Sequence, residues 1–110
     1  MGEAVRETRK EGEIMARFIV LCRYTQRGIE HIQGSPGRMT AFKADAKAKG
    51  AEMIESYLVS GRFDLIHIFE APDDETMAKV AISLGSHGNV TTETMRAFTE
   101  AELKKIIGGL

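Results

Sequence analysis

Apolar and polar positions alternate between two periods along this chain. Phe18-Ile19-Val20-Leu21-Cys22-Arg23-Tyr24 is short, β-branched and aromatic, which predicts a strand, and its nearly continuous apolar run predicts a central one. Gln26 to Gly34 reads as a loop with room for one helical turn, since Ile29 and Ile32 are three apart. Ser35-Pro36 then reads as an N-cap and a first-turn proline. The helix that follows runs to about Lys49, with Met39, Phe42 and Ala46 on one face and Gly50 as its stop. Glu52 to Ser60 predicts a second strand, Gly61-Arg62 a two-residue turn, and Phe63 to Glu70 a third strand. Asp73 caps the next helix, whose Met77, Val80, Ala81 and Leu84 form the clearest amphipathic stripe in the chain. Gly85 and Gly88 end it. Val90 to Phe98 predicts strand four, and a capping box from Thr99 to Glu102 opens a short last helix with Leu103, Ile106 and Ile107.

The order is β-α-β-β-α-β plus a C-terminal helix, an α+β arrangement of the ferredoxin-like, split βαβ kind. Right-handed crossovers place strands one and three at the centre of a four-stranded antiparallel sheet, with both main helices on one face. The other face is left bare. Strand three nevertheless offers Phe63, Leu65 and Phe69 to one side and Ile66 and Ile68 to the other. Apolar residues on a face without helices mark an interface, so the expectation is a homodimer, or a higher homo-oligomer, joined through the sheet face.

Composition narrows the classes. The 110 residues carry 15 Lys+Arg against 16 Asp+Glu, with 43% hydrophobic residues. That is the profile of a single ordinary domain, and its neutral balance excludes a typical nucleic-acid binder. The lone Cys22 excludes an intrachain disulfide and a cysteine-rich zinc cluster. No apolar run is long enough to span a membrane. Residues 1–14 are dense in charge, including Glu3, Arg6, Glu7, Arg9, Lys10, Glu11 and Glu13, and read as a disordered tail or a start-site artefact ahead of one domain over residues 15–110. Deleting them is expected to leave the melting temperature within about two degrees. They contain no apolar signal core, so the expected location is cytoplasmic.

Several stretches carry a resemblance when taken in order: Thr25-Gln26-Arg27-Gly28-Ile29, Ser35-Pro36-Gly37-Arg38, Gly61-Arg62-Phe63-Asp64, Glu70-Ala71-Pro72-Asp73-Asp74, and Gly88 to Phe98. Together they resemble the GYD domain family, over residues 16 to about 107. That family is named for a Gly-x-Tyr-Asp turn, and here Phe63 replaces the tyrosine, removing its hydroxyl. The resemblance implies a dimeric α/β-barrel type of ferredoxin-like protein, mostly bacterial or archaeal, with no established activity.

The candidate chemistry is sparse. His31, His67 and His87 show no metal-binding spacing, His67 reads as a satisfied core or interface histidine, and Cys22 reads as inert. Neither Gly34-Ser35-Pro36-Gly37 nor Gly85-Ser86-His87-Gly88 has the form of a phosphate loop, and helix capping accounts for Asp73-Asp74-Glu75. The expectation is therefore no metal and no cofactor. A two-residue hairpin would pair Val59 with Asp64 and Ser56 with His67, placing Glu55, Tyr57 and Asp64 on one face with Tyr57 and Asp64 as diagonal neighbours. Strand four aligns Thr92, Thr94 and Arg96, and the planar fork of Arg96 suits an anion. The site expected from these residues is a small pocket near one end of the sheet, formed by Tyr24, His67 and Arg96 with Asp64 at its margin, for a small anionic ligand. Three functions fit: a small-molecule-binding or accessory, regulatory domain; a cofactor-independent enzyme of the oxygenase, isomerase or decarboxylase kind; or a structural assembly subunit.

Overall fold

The structure, a computed structural model, describes residues 14–110; all but the last residue of the expected N-terminal tail lies outside them. Strands β1 (Ala16–Tyr24), β2 (Glu52–Leu58), β3 (Leu65–Ala71) and β4 (Val90–Ala97) form one antiparallel sheet in the order β2-β3-β1-β4. Helices α1 (Gln26–Glu30), α2 (Ser35–Ala48), α3 (Asp74–Ser86) and α4 (Glu100–Gly108) complete the chain. The two most apolar strands, β1 and β3, are the central pair, and the split βαβ order is the ferredoxin-like one. No helix among the described residues is long and apolar enough to cross a membrane.

Alternation along the central strands decides what is covered. Phe18, Val20 and Cys22 of β1 sit opposite Phe69, His67 and Leu65 of β3, and all six are buried beneath Phe42 and Ala46 of α2 and Met77 and Val80 of α3. The intervening residues, Ile19 and Leu21 against Ile68 and Ile66, point to the opposite face and are only half-buried. The register slips by one residue between Met53 and Glu55, a bulge that lets Met53 reach the core while Ser56 stays opposite His67.

Local chemistry explains the helix starts. The Asp73 carboxylate accepts from the Thr76 N–H at 2.8 Å. Thr99 and Glu102 complete the expected capping box, at 3.2 and 2.8 Å. Ser35 differs from expectation, being the first residue of α2 rather than its cap. The stretch read as loop is α1, capped by the Thr25 side chain, followed by a 3-10 turn over Ile32–Gly34. That turn runs directly into α2, so Gly34 occupies the cap position in helical conformation and the Ser35 hydroxyl is left for tertiary use.

The hairpin also differs. Its register is the expected one, with Ser56 opposite His67 and Val59 N–H bonded to Asp64 O at 2.9 Å. The strands stop at Leu58 and Leu65, however, and Phe63 lies in the turn. The turn is drawn towards β1 instead: the Asp64 N–H donates to Cys22 O at 2.8 Å, and the Asp64 carboxylate accepts from the Tyr24 N–H at 2.8 Å.

Candidate functional site

A cavity of about 390 Å³ opens at the end of the sheet where β1 finishes and β4 begins, between α2 and the C-terminal end of α3. Tyr24 enters it from the end of β1 and His67 from the middle of β3. Ser35, Arg38, Met39, Phe42 and Asp45 enter from α2, at spacings that fall on one helical face. Arg27 comes from α1, Leu84 and His87 from the end of α3, and Asn89 and Val90 from the start of β4.

Close backbone packing holds this end together. Gly28 of α1 lies against Asn89, where a Cβ would stand 2.1 Å from the Asn89 carbonyl oxygen, so only glycine fits. The Thr25 N–H donates to Asn89 O at 3.0 Å, and the Thr25 hydroxyl donates to Gly88 O at 2.7 Å. Gly88 takes the left-handed conformation, with φ of 80°. The Gly61–Asp64 turn clamps the neighbouring strand end. Asp64 binds the Tyr24 N–H, and Arg23 donates to Arg62 O at 2.6 Å while lying 4.8 Å from the centre of the Phe63 ring. The turn therefore fixes the backbone that carries Tyr24 into the cavity.

The polar groups differ in how far they are satisfied. The Tyr24 and Ser35 hydroxyls are 2.7 Å apart, and Ser56 Oγ lies 2.7 Å from His67 Nδ1. Burial holds His67 well down, at about 4, so the imidazole is neutral at pH 7. Burial pushes the Cys22 thiol up to about 12, which removes it as a nucleophile. Asp45 is held below the usual carboxylate range by hydrogen bonds from Lys49 and Ser83, at 2.6 and 2.9 Å. The Arg38 Nη1 donates to His31 O at 2.9 Å, while its Nη2 is buried with no partner.

The expected site residues are placed as follows. Tyr24 and His67 line the same cavity, and Asp64 braces Tyr24 from behind through the main chain. Arg96 is elsewhere. It pairs with Phe18 at the opposite end of β1, roughly 20 Å along the strand from Tyr24 by the rise per residue. There its guanidinium covers the Phe98 ring at 4.3 Å and faces Glu102 at 3.9 Å. The Tyr24–His67–Arg96 grouping is thus not formed, because alternation puts Arg96 on the same face as Tyr24 but says nothing of distance along the strand. Tyr57 and Asp64 do not meet either: the Tyr57 hydroxyl bonds Glu55 on the uncovered face, which raises its pKa. Arg27, Arg38 and Asn89, which belong to stretches that carry the family resemblance, also line the cavity, and Arg38 is legible from its i, i+4 relation to Phe42 on the apolar face of α2. Among the described residues no group of three His, Cys, Asp or Glu gathers to hold a metal.

Comparison with known proteins bears on both fold and kinship. A protein of Thermus thermophilus described as glutamine synthetase and cystathionine beta-lyase binding protein is 32% identical over 90 residues, covering 81% of this chain and 95% of that protein. Among solved structures, MtbAldR superposes with a TM-score of 0.55 at 14% identity, over 79% of this chain and 55% of that one. The Mycobacterium tuberculosis leucine response regulatory protein gives 0.51 at 12% identity, over 81% and 53%. This chain therefore spans about half the length of those two structures, and the likeness carries the fold alone. The GYD domain family model matches residues 18–107, and with it this chain is a member of the GYD domain family.

Proposed function

We propose that this GYD chain is an accessory protein that works by binding rather than by catalysis, as a homodimer joined through the uncovered sheet face, with a metabolic enzyme as its protein partner. The carrying observation is that face. Ile19, Leu21, Ile66 and Ile68 form a continuous apolar centre there, flanked by Met95 and Tyr57, which are 42% and 51% exposed. An apolar centre with a charged rim, here Arg17, Arg23, Glu70 and Glu93, has the anatomy of an interface. The name of the Thermus relative supports an enzyme as the further partner. The reading carries a cytoplasmic location, alongside such enzymes. A cofactor-independent enzyme is the weaker alternative, since neither His67, at about 4, nor Cys22, at about 12, is poised for proton transfer or attack near neutral pH.

Sedimentation of the full chain at micromolar concentration tests the assembly. The expected mass is twice the 12.1 kDa of one chain, and a monomer would overturn the dimer. Co-sedimentation with purified glutamine synthetase or cystathionine beta-lyase of the same organism tests the partner. A shifted boundary with either is expected; free migration of both at about 10 μM, a concentration well above a specific micromolar Kd, would overturn it.

A further inference from the structure

The charge and shape of the helix-side cavity go beyond that reading and do not depend on it. We infer that the cavity is a binding site for a small organic monocarboxylate with a compact apolar body. One wall is hydrophobic, built from Met39, Phe42, Leu65, Leu84 and Val90, and the volume of about 390 Å³ falls in the range of small-molecule sites. Two arginines, Arg27 and Arg38, line the same cavity. Asp45 is the one acid among the lining residues, and Lys49 and Ser83 already hold it. The arginines therefore lack a counter-charge within the cavity. Arg27 makes no side-chain hydrogen bond or ion pair among the described residues, and the one bond of the Arg38 guanidinium is to a main-chain carbonyl, His31 O, rather than to an acid. A guanidinium with no counter-ion beside an apolar cavity suits a carboxylate, whose acceptors match its fork.

Two further features set the ligand class. The Tyr24 and Ser35 hydroxyls share one hydrogen bond at 2.7 Å, which uses one of their two protons. The other remains to donate to a bound oxygen. The C-terminal end of α3, at Ser86 and His87, also abuts the cavity, and its partial negative charge disfavours a doubly charged phosphate more than a carboxylate.

Calorimetric titration of the full-length chain with 3-phenylpropionate, against its neutral amide and inorganic phosphate, tests the assignment. The acid should bind saturably, with the amide at least about tenfold weaker, a difference of about 1.4 kcal/mol. Arg27→Gln and Arg38→Gln should each weaken the acid by about tenfold or more and leave the amide unchanged. Arg38 also braces His31 O, so a melting curve accompanies that variant; Arg27→Gln, which breaks no bond, and the acid–amide contrast in the unaltered protein stand without it. Equal binding of acid and amide, no saturation below about 10 mM, or indifference to Arg27→Gln would overturn the site. Tighter binding of inorganic phosphate than of the acid would overturn the apolar-body assignment. Sedimentation of Arg27→Gln should still report the assembly of the unaltered chain, which separates this site from the sheet interface.

Discussion

The two faces of the sheet are made from the same strands and nearly the same residue types, yet only one of them is covered. On the helix side, Val20 and Cys22 are fully buried, packed beneath Phe42, Met77 and Val80. One position away, Ile19 and Leu21 are as apolar and only half-buried. Burial of a branched side chain is worth about 1.5–3 kcal/mol, so the covered face holds the fold, whereas the half-buried residues of the other face gain only part of that within one chain. Side-chain chemistry alone does not separate the covered face from the uncovered one. What separates them is which face the two crossover helices occupy.

The largest effect should come from placing the same charge on each face. Val20→Asp buries an unpaired carboxylate beneath α2 and α3 and should cost more than about 4 kcal/mol, abolishing the cooperative melting transition. Ile66→Asp or Ile68→Asp points outward, and circular dichroism should show a folded chain that sediments as a monomer. If both faces respond alike, the contrast between them is broken.

Gly28→Ala comes next, because its Cβ meets the Asn89 carbonyl with no flexible side chain to yield. Separating α1 from the start of β4 should cost about 3 kcal/mol in denaturant unfolding, whereas Gly37→Ala, which meets nothing, should cost nothing measurable.

His67 sharpens the comparison through pH. Its folded pKa of about 4 lies below its ordinary 6.5, so between these values the unfolded chain binds more protons than the folded one. Stability is therefore full above about pH 6.5 and falls on acidification towards pH 4, by at most on the order of 3 kcal/mol. The depressed carboxylates Asp45, Asp73 and Glu102 titrate in the unfolded chain below that upper range, so the slope from pH 6.5 to 5 belongs to His67. His67→Gln should flatten it in a series of urea melts; an unchanged slope would show that His67 is not held neutral.

The smallest effect is expected in α4. Leu103, Ile106 and Ile107 are each about half exposed, so Ile107→Glu should change stability by no more than about 0.5 kcal/mol. If that substitution nevertheless weakens binding to a partner enzyme in the sedimentation assay, this helix belongs to the enzyme-binding surface.

Much of the architecture was legible because the determining signals are local. The Asp73 cap, the Thr99–Glu102 capping box and the stripe through Met77 and Val80 each act within a few residues, and each formed where expected. The hairpin register was legible for the same reason, since Ser56 opposite His67 follows from the position of the turn. Ser35 is the first residue of α2 rather than its cap because a 3-10 turn over Ile32–Gly34 runs directly into the helix, which no capping pattern in the sequence announces. Arg96 was misplaced because period-two alternation reports a face and not a position along it.

The sequence by itself determined the order of elements, the central place of β1 and β3, the two-sided hydrophobicity of the sheet and the kinship with the GYD family. These rest on periodicity, capping and motif, which are properties of neighbouring residues. Only the tertiary structure decided that Tyr24 and His67 meet Arg27 and Arg38 around one cavity, that Asp64 holds the strand end carrying Tyr24, and that Arg96 belongs to the opposite end. A site is a meeting of residues far apart in the chain, and the angles at which strands and helices pack, which no local pattern encodes, set where they meet.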